Sequence, residues 1–243
     1  MGAVLAVELL DAAREALDGV LDPELDEPIT DLGFVEECTV LDGHVRVRLR
    51  LPTAFCAPNF AYLMTADAYD AVKAVTGVRS VDIRLEGHHD SERINAGVAA
   101  EAGFVGTYGA EAAEELDELR MVFRRKAHFA CLDRAGRALL ASGWSIDDLP
   151  AATLADLSDA ERSRLSRRRA GIGLPTGLGE PVLVDDAGTP IAPQNVSVTL
   201  RFARTTRVSI EGNAHFCRGL LRTRYPGSER DQRCDQTEME TAQ

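Results

Sequence analysis

The stretch LDPELDEPITDLGFVEECTV, residues 21–40, constrains the fold most, because it places two prolines, a glycine and several acidic residues between two regular patterns. Before it, apolar residues recur at helical spacing over residues 4–20, which predicts an amphipathic helix that Pro23 stops. After the punctuated turn, two β-type runs, residues 34–41 and 44–51, meet at Asp42-Gly43, which predicts a hairpin. The chain must therefore change from helix to sheet across a tight turn, in which we expect Asp22 and Asp31 to cap adjacent amides and Gly33 to permit a tight bend.

The next elements complete a small domain. The loop PTAFCAP, residues 52–58, precedes a helical pattern that ends near Gly77, and residues 79–87 alternate apolar and charged side chains as a third strand. The order helix, strand, strand, helix, strand predicts a compact α+β domain over residues 1–104.

Beyond residue 104 the pattern changes, and residues 105–226 are predicted to form a mixed helical and β C-terminal extension. The last residues, 227–243, are polar and predict a disordered tail. The predicted elements of the extension are helices at 109–141, 145–149, 158–169 and 213–225 and strands at 182–188 and 195–212.

Composition excludes several classes of protein. A net charge of -12 with 5% aromatic residues argues against a nucleic-acid-binding protein. The N-terminal apolar run is broken by acidic residues, so it predicts neither a signal peptide nor a membrane span. Five irregularly spaced cysteines do not resemble a disulfide framework, which predicts a reducing, cytoplasmic location. The common hydrolase, phosphate-loop and zinc-protease motifs are missing, which favours a non-catalytic protein.

Cys56 is the first candidate for chemistry, because it lies in a loop just before a predicted helix. The N-terminus of a helix stabilises a thiolate, and a thiolate binds metal or attacks an electrophile. A small buried cysteine without any function is the alternative reading, and placement alone does not separate the two.

The other cysteines and the histidines form weak pairs that suggest a soft metal only when taken together with Cys56. Cys38 lies within a strand pattern and Cys234 within the tail, so neither is a predicted site residue. The candidate co-ligands, in falling order, are His88, His89, His128, Cys131, His215 and Cys217.

The stretch VLDPELDEPITDLGFV resembles the signature of the metal-sulfur cluster assembly family, which includes PaaD-like and SufT-like proteins. Asp22-Pro23-Glu24-Leu25 and Asp31-Leu32-Gly33 match that signature residue by residue, and the resemblance covers roughly residues 4–105. In the family, a threonine-rich loop with one cysteine precedes the second helix, and Cys56 falls at that point. Here the loop reads Ala-Phe-Cys-Ala-Pro where many members have Pro-Gly-Cys-Pro.

The resemblance implies an α+β fold and a role in assembling iron-sulfur clusters or delivering them to client proteins, with Cys56 as ligand. The extension makes the whole chain similar to actinobacterial proteins encoded beside soluble di-iron monooxygenases of the propane-oxidising kind. We therefore predict a maturation factor that handles an iron-sulfur cluster or iron, with zinc as another candidate, for a client metalloenzyme. An enzyme with Cys56 as nucleophile and an adaptor with inert cysteines both stay open, as does a homo-oligomer.

Overall fold

A computed structural model describes residues 2–112 and 115–228 of the chain. Two compact units form: Met1–Leu116 together with Asn213–Gln243, and Asp117–Gly212. The first unit therefore combines the predicted N-terminal domain with a segment from the far end of the sequence. Cys234 and residues 229–243 of the predicted tail lie outside the described residues.

The first unit has the α+β order that the sequence predicts, helix, strand, strand, helix, strand, with short elements added. The added elements are β1, β2, α3 and α4. In chain order the elements are α1 (Gly2–Asp18), β1 (Leu21–Asp22), β2 (Glu27–Pro28), β3 (Val35–Leu41), β4 (His44–Arg50), α2 (Pro58–Lys73), β5 (Ser80–Glu86), α3 (Ser91–Ala99) and α4 (Gly103–Tyr108).

The main sheet has the strand order β3-β4-β5, antiparallel between β3 and β4 and parallel between β4 and β5. Val45, Val47 and Leu49 of β4 are buried because alternate residues of a strand point to one face, and α1 and α2 pack over the sheet. The predicted hairpin is confirmed. Asp42 and Gly43 both have positive φ, 51° and 79°, as a two-residue turn of this hand requires.

The turn between α1 and β3 is held by its own side chains. The carboxylate oxygen Oδ1 of Asp22 accepts hydrogen bonds from the backbone N–H groups of Glu24, at 2.8 Å, and Leu25, at 2.9 Å. Gly33 has a φ of 76°, which a side chain would disfavour. The predicted capping by Asp22 and the predicted bend at Gly33 are both confirmed. The helix itself ends at Asp18, before Pro23.

The second unit is built from α5 (Asp117–Ala141), α6 (Asp159–Ala170) and residues 196–212 of α7 (Val196–Arg224). Ser158 caps α6 through a hydrogen bond from the backbone N–H of Glu161, close to the predicted helix start. α5 runs through Gly136, where a Cβ atom would lie 3.0 Å from Leu200 Cδ2. Within the described residues, no helix is long and apolar enough to cross a membrane.

The prediction of two strands in the extension is wrong. Residues 182–188 form only an isolated bridge between Val184 and Pro190, and residues 195–212 are helical. Val196, Ala203 and Ile210 are buried at intervals of seven residues, so a helical stripe and not strand alternation decides the structure. The extension is consequently helical, and the α+β class comes from the first unit.

Candidate functional site

Cys56 lies in the loop between β4 and α2, with a half-buried side chain. Its sulfur is 3.5 Å from the hydroxyl oxygen of Thr53, and that hydroxyl also accepts a hydrogen bond from the backbone N–H of Phe55. Helix α2 begins at Pro58, and its N-cap residue, Ala57, makes no side-chain capping bond. The thiol therefore sits beside a helix N-terminus, where the helix dipole favours negative charge.

His88 fixes the backbone of this loop. Its Nε2 atom donates to the carbonyl oxygen of Cys56 at 2.8 Å, and its Nδ1 atom accepts from the backbone N–H of Asp90 at 3.1 Å. Burial lowers the pKa of His88, which keeps the ring neutral, as this pair of bonds requires. With both ring nitrogens engaged, His88 positions the Cys56 loop and has no free lone pair for a metal.

His89 fixes the backbone of the same loop at Ala54, two residues before Cys56. Its backbone N–H and its Nδ1 atom both donate to the carbonyl oxygen of Ala54, at 3.0 and 2.8 Å. The exposed ring stacks on Phe55, with ring centroids 5.6 Å apart, and Nε2 is 3.5 Å from a carboxylate oxygen of Asp90. The two histidines thus fix the backbone of residues 54–56 through hydrogen bonds to its carbonyl oxygens.

Cys217 lies on the part of α7 that belongs to the first unit, the same unit that contains Cys56. Its thiol is half-buried, and burial, with the negative charges of Asp22 and Glu24, raises its pKa to about 11. Cys56 and Cys217 also pack against the same apolar core.

Asp22 is a buried acidic side chain in the turn between α1 and β3, and burial raises its pKa to about 6. A carboxyl group whose folded pKa lies above its unfolded value stabilises the fold fully below the unfolded pKa, here 3.8, and loses that contribution as the pH rises through about 6. The ionised, buried carboxylate is consequently a cost to stability at neutral pH.

Replacing Asp22 with asparagine is expected to raise the free energy of unfolding by roughly 2 kcal/mol at pH 8, because the amide oxygen still accepts both backbone bonds without a buried charge. At pH 4 the gain should vanish. Denaturant unfolding of both proteins at the two pH values measures the difference. Asp22→Ala removes both acceptors and should be less stable than the asparagine variant at either pH; a gain for Asn at pH 4 equal to that at pH 8 would contradict the assignment.

His128 and Cys131 lie on α5, in the second unit, and both are buried. Neither ring nitrogen of His128 has a hydrogen-bond partner among the described residues, and Nδ1 is 3.7 Å from a carboxylate oxygen of Asp186. Burial and the positive charge of Arg169 lower the pKa of His128 to about 4. The pair shares a helix face as its spacing predicts, but it belongs to a different unit from Cys56.

The side chains of His215 and Cys217 point to different sides of α7. His215 is exposed and Cys217 half-buried, since residues two apart on a helix point in nearly opposite directions. Across residues 2–112 and 115–228, no three His, Cys, Asp or Glu side chains are grouped so that they could hold a metal ion by themselves. A metal role for His128, Cys131 and His215 stays a prediction.

Sequence reasoning treated Asp22 as a cap only and did not find Thr53 or Phe55. Phe55 is 80% exposed at the tip of the loop. The sequence shows an aromatic residue in the loop between Pro52 and Cys56, and its place in a predicted loop could have marked it as exposed and as part of a contact surface.

A sequence model described as iron-sulfur cluster assembly protein matches residues 10–83 of this chain. That region runs from α1 to β5 and includes the Asp22 turn and the Cys56 loop, but not Cys217. No solved structure matches the chain.

Among individual proteins, an uncharacterized protein of Methanocaldococcus jannaschii is 35% identical over 81 residues, which is 33% of this chain and 83% of that protein. The iron-sulfur cluster carrier protein of Mycobacterium tuberculosis is 38% identical over 87 residues, 35% of this chain and 22% of the carrier. The corresponding carrier of Mycobacterium leprae is 33% identical over 89 residues, 36% of this chain and 23% of the carrier. The chain thus spans less than a quarter of the length of the carriers it matches.

Proposed function

Because this chain belongs to the iron-sulfur cluster assembly protein family, we propose that it holds an iron-sulfur cluster at Cys56 as cargo and delivers it to a client metalloprotein. The family supports cluster assembly or delivery and an accessory role. The residue, the client and the transfer step are our proposals.

The observation that carries the proposal is the setting of the Cys56 thiol. It is half-buried, next to the N-terminus of α2, in a loop whose backbone is fixed by three hydrogen bonds from His88 and His89. Thiolates are the ligands that iron-sulfur clusters use, and the helix N-terminus favours the negative charge of a thiolate-bound cluster. A rigid loop keeps the ligand in place while the partly open side leaves access for a client.

The enzyme alternative receives less support from this geometry. A nucleophilic cysteine needs a base at its sulfur, whereas His88 directs Nε2 to the carbonyl oxygen of Cys56 and uses Nδ1 for Asp90. The neighbour of the sulfur is the hydroxyl of Thr53. In the adaptor alternative the cysteines are inert, so the purified protein would contain no bound metal. The metal content of the purified protein therefore distinguishes it from the proposal.

For the client, we propose a metalloenzyme that docks at the loop, and the exposed ring of Phe55 beside Cys56 supports docking there. The likeness of the whole chain to proteins encoded beside propane-type di-iron monooxygenases makes the components of such a system the first clients to test. Iron or zinc in place of a cluster is distinguished by the sulfide content of the loaded protein.

The test is anaerobic reconstitution of the full chain with ferrous iron and sulfide. The wild type is expected to take up iron and sulfide together, and Cys56→Ser is expected to lose at least ten-fold in cluster affinity, because a hydroxyl is a poor ligand for soft iron-sulfur centres. Cys38→Ala, which removes a buried thiol from β3 of the same unit, is the matched control and should load as the wild type does.

Transfer is measured by mixing the loaded protein with an apo acceptor that contains four cysteine ligands and following the acceptor's own spectrum. Loaded wild type should convert the acceptor faster than free iron and sulfide do. Equal iron and sulfide in the wild type and in Cys56→Ser would rule out Cys56 as the ligand, and a loaded protein that never yields its cluster would rule out delivery.

A further inference from the structure

We propose that Arg224 is a positioning residue for the Cys56 site. It holds together the two strand ends from which the Cys56 loop and the His88–His89 pair leave the sheet, and so determines how firmly the cargo is held. This inference rests on the proposed function and deepens it. Arg224 lies on α7, outside residues 10–83, which the family sequence model matches, so this contact is a feature of the chain and not of the matched region.

The guanidinium group of Arg224 joins two separate segments of the first unit. One terminal nitrogen donates to the carbonyl oxygen of Leu51 at 3.2 Å, and the other donates to the carbonyl oxygen of Gly87. Leu51 follows β4 and comes directly before the loop that carries Cys56, whereas Gly87 follows β5 and comes directly before His88. A single side chain therefore links the start of the ligand loop to the start of the histidine pair that fixes it.

The link between these two carbonyl oxygens suits arginine and not lysine. A guanidinium group is planar, stays positively charged and presents its donors in a fixed fork, so it holds two acceptors at a set separation. Lysine offers one ammonium group on a flexible stem. Hydrogen bonds from a charged donor are also roughly twice as strong as those between neutral groups. Removing Arg224 consequently breaks a strong connection between the two segments.

Tyr225 keeps the guanidinium group of Arg224 in place. The centre of its ring is 5.1 Å from Cζ of Arg224 and 5.4 Å from Cζ of Arg50, and both distances are within the range of a cation–π contact. Arg50 is itself buried, and its Nε atom donates to the carbonyl oxygen of Gly33 at 3.2 Å. Arg224 is therefore tied, through Tyr225 and Arg50, to the turn between α1 and β3.

Gly87 makes room for this arrangement. It has a φ of 64°, and a Cβ atom there would lie 2.8 Å from the hydroxyl oxygen of Tyr225 and 2.9 Å from a terminal nitrogen of Arg224. A residue with a side chain would be strained by the positive φ and would displace both neighbours. The backbone before His88 and the end of the C-terminal helix thus fit each other closely.

The helical segment that carries Arg224 is also held by contacts away from the Cys56 loop. Arg218 forms an ion pair with Glu27, and Ala214 and Leu221 are 1% and 2% exposed in the core of the first unit. Because these contacts do not involve Arg224, the segment is expected to stay docked when Arg224 is replaced. The effect of Arg224 on the loop can therefore be measured separately from docking of the helix.

The first measurement is hydrogen exchange of peptides that cover residues 52–57 and 87–90, in the metal-free full chain. Arg224→Ala is expected to exchange about ten-fold faster than the wild type in both peptides, because local opening becomes more frequent once the link is lost. Arg218→Ala is the matched control, since it removes an arginine ion pair from the same helical segment. Its loop peptides should exchange within about two-fold of the wild type.

The second measurement is the rate at which protein reconstituted with ferrous iron and sulfide loses its visible absorption to a chelator. Arg224→Ala is expected to lose the cluster about ten-fold faster than the wild type, and Arg218→Ala at the wild-type rate. Millimolar guanidinium ion should slow the loss from Arg224→Ala, whereas methylammonium should not, because only the planar ion replaces both donors. Arg224→Lys keeps the charge and most of the stem, and it should still lose the cluster faster than the wild type.

The outcomes separate this inference from the proposed function. Wild-type exchange in the loop of Arg224→Ala, an equal acceleration in Arg218→Ala, or a lack of rescue by guanidinium would overturn the role of Arg224. A wild type that takes up no iron and sulfide would overturn cluster delivery, and the exchange rates, with and without guanidinium, would still decide whether Arg224 positions the loop.

Discussion

Replacing Leu221 with alanine is expected to lower the free energy of unfolding of the first unit by about 2–5 kcal/mol, the usual effect of removing a fully buried leucine side chain. Leu221 is 2% exposed and lies in the core that also contains Val47 of β4 and Ala68 of α2. The cost arises from lost apolar burial and from the cavity left behind, because the neighbouring elements relax only partly. This result would show that Leu221 belongs to the hydrophobic core of residues 10–83, the region that the family model matches.

The measurement is hydrogen exchange of peptides from β3 to β5 in the full chain, together with denaturant unfolding. Phe216→Ala is the matched control, since it truncates a larger apolar side chain of the same helical segment that is 65% exposed. It should change exchange in the sheet by no more than a few tenths of a kcal/mol. If Leu221→Ala changes exchange in the sheet as little as Phe216→Ala does, residues 213–228 do not stabilise the sheet.

Local signals in the sequence were sufficient for the first unit. Asp42-Gly43 specifies its own turn through positive φ, and the alternation along His44–Arg50 determines which side chains are buried. The Asp22 turn could also be predicted from the sequence, because an aspartate carboxylate in a turn commonly accepts a hydrogen bond from the backbone N–H two residues later. These features depend on neighbours in sequence, so a single chain reveals them.

The sequence analysis predicted the end of α7, residues 213–225, as a helix, but it did not predict the helix over residues 196–212, because those residues suggest a strand. Val198, Phe202, Thr205, Thr206 and Val208 are β-branched or aromatic, and each favours β structure. Burial follows a seven-residue interval from Val196 to Ala203 to Ile210, and packing on that stripe overrides the local preference. The interval was present in the sequence and could have been used against the strand reading.

For the candidate site, the sequence indicated Cys56, His88 and His89 as residues of interest but not the contacts that hold them. The sequence could not indicate that the ring of His88 donates to the carbonyl oxygen of Cys56, or the ring of His89 to that of Ala54. In both cases the partner lies more than 30 residues earlier in the chain. Nor could it indicate that Cys217 packs against the core of the first unit, since that depends on the return of the C-terminal segment to that unit. Long-range contacts of this kind leave no local periodicity.

Acidification is expected to destabilise the second unit by up to about 3 kcal/mol between pH 6.5 and pH 4, through His128. Its pKa is lowered from 6.5 to about 4 by burial and by Arg169, against the opposing charges of Asp186 and Asp185. Between those pH values the unfolded chain binds a proton that the folded chain does not, so stability falls as the pH falls. Above pH 6.5 both states carry a neutral ring and the contribution is constant.

Trp144, the single tryptophan of the chain, packs against the core of the second unit and reports its unfolding by fluorescence. Because neither ring nitrogen of His128 has a hydrogen-bond partner among the described residues, His128→Leu should cost little at pH 7 and should remove most of the acid sensitivity. His215→Leu makes the same chemical change at an exposed histidine and should retain that sensitivity. If the wild type and His128→Leu lose the same free energy between pH 7 and pH 4.5, the acid sensitivity comes from other groups, and His128 is then protonated in the folded protein with Asp186 as its partner.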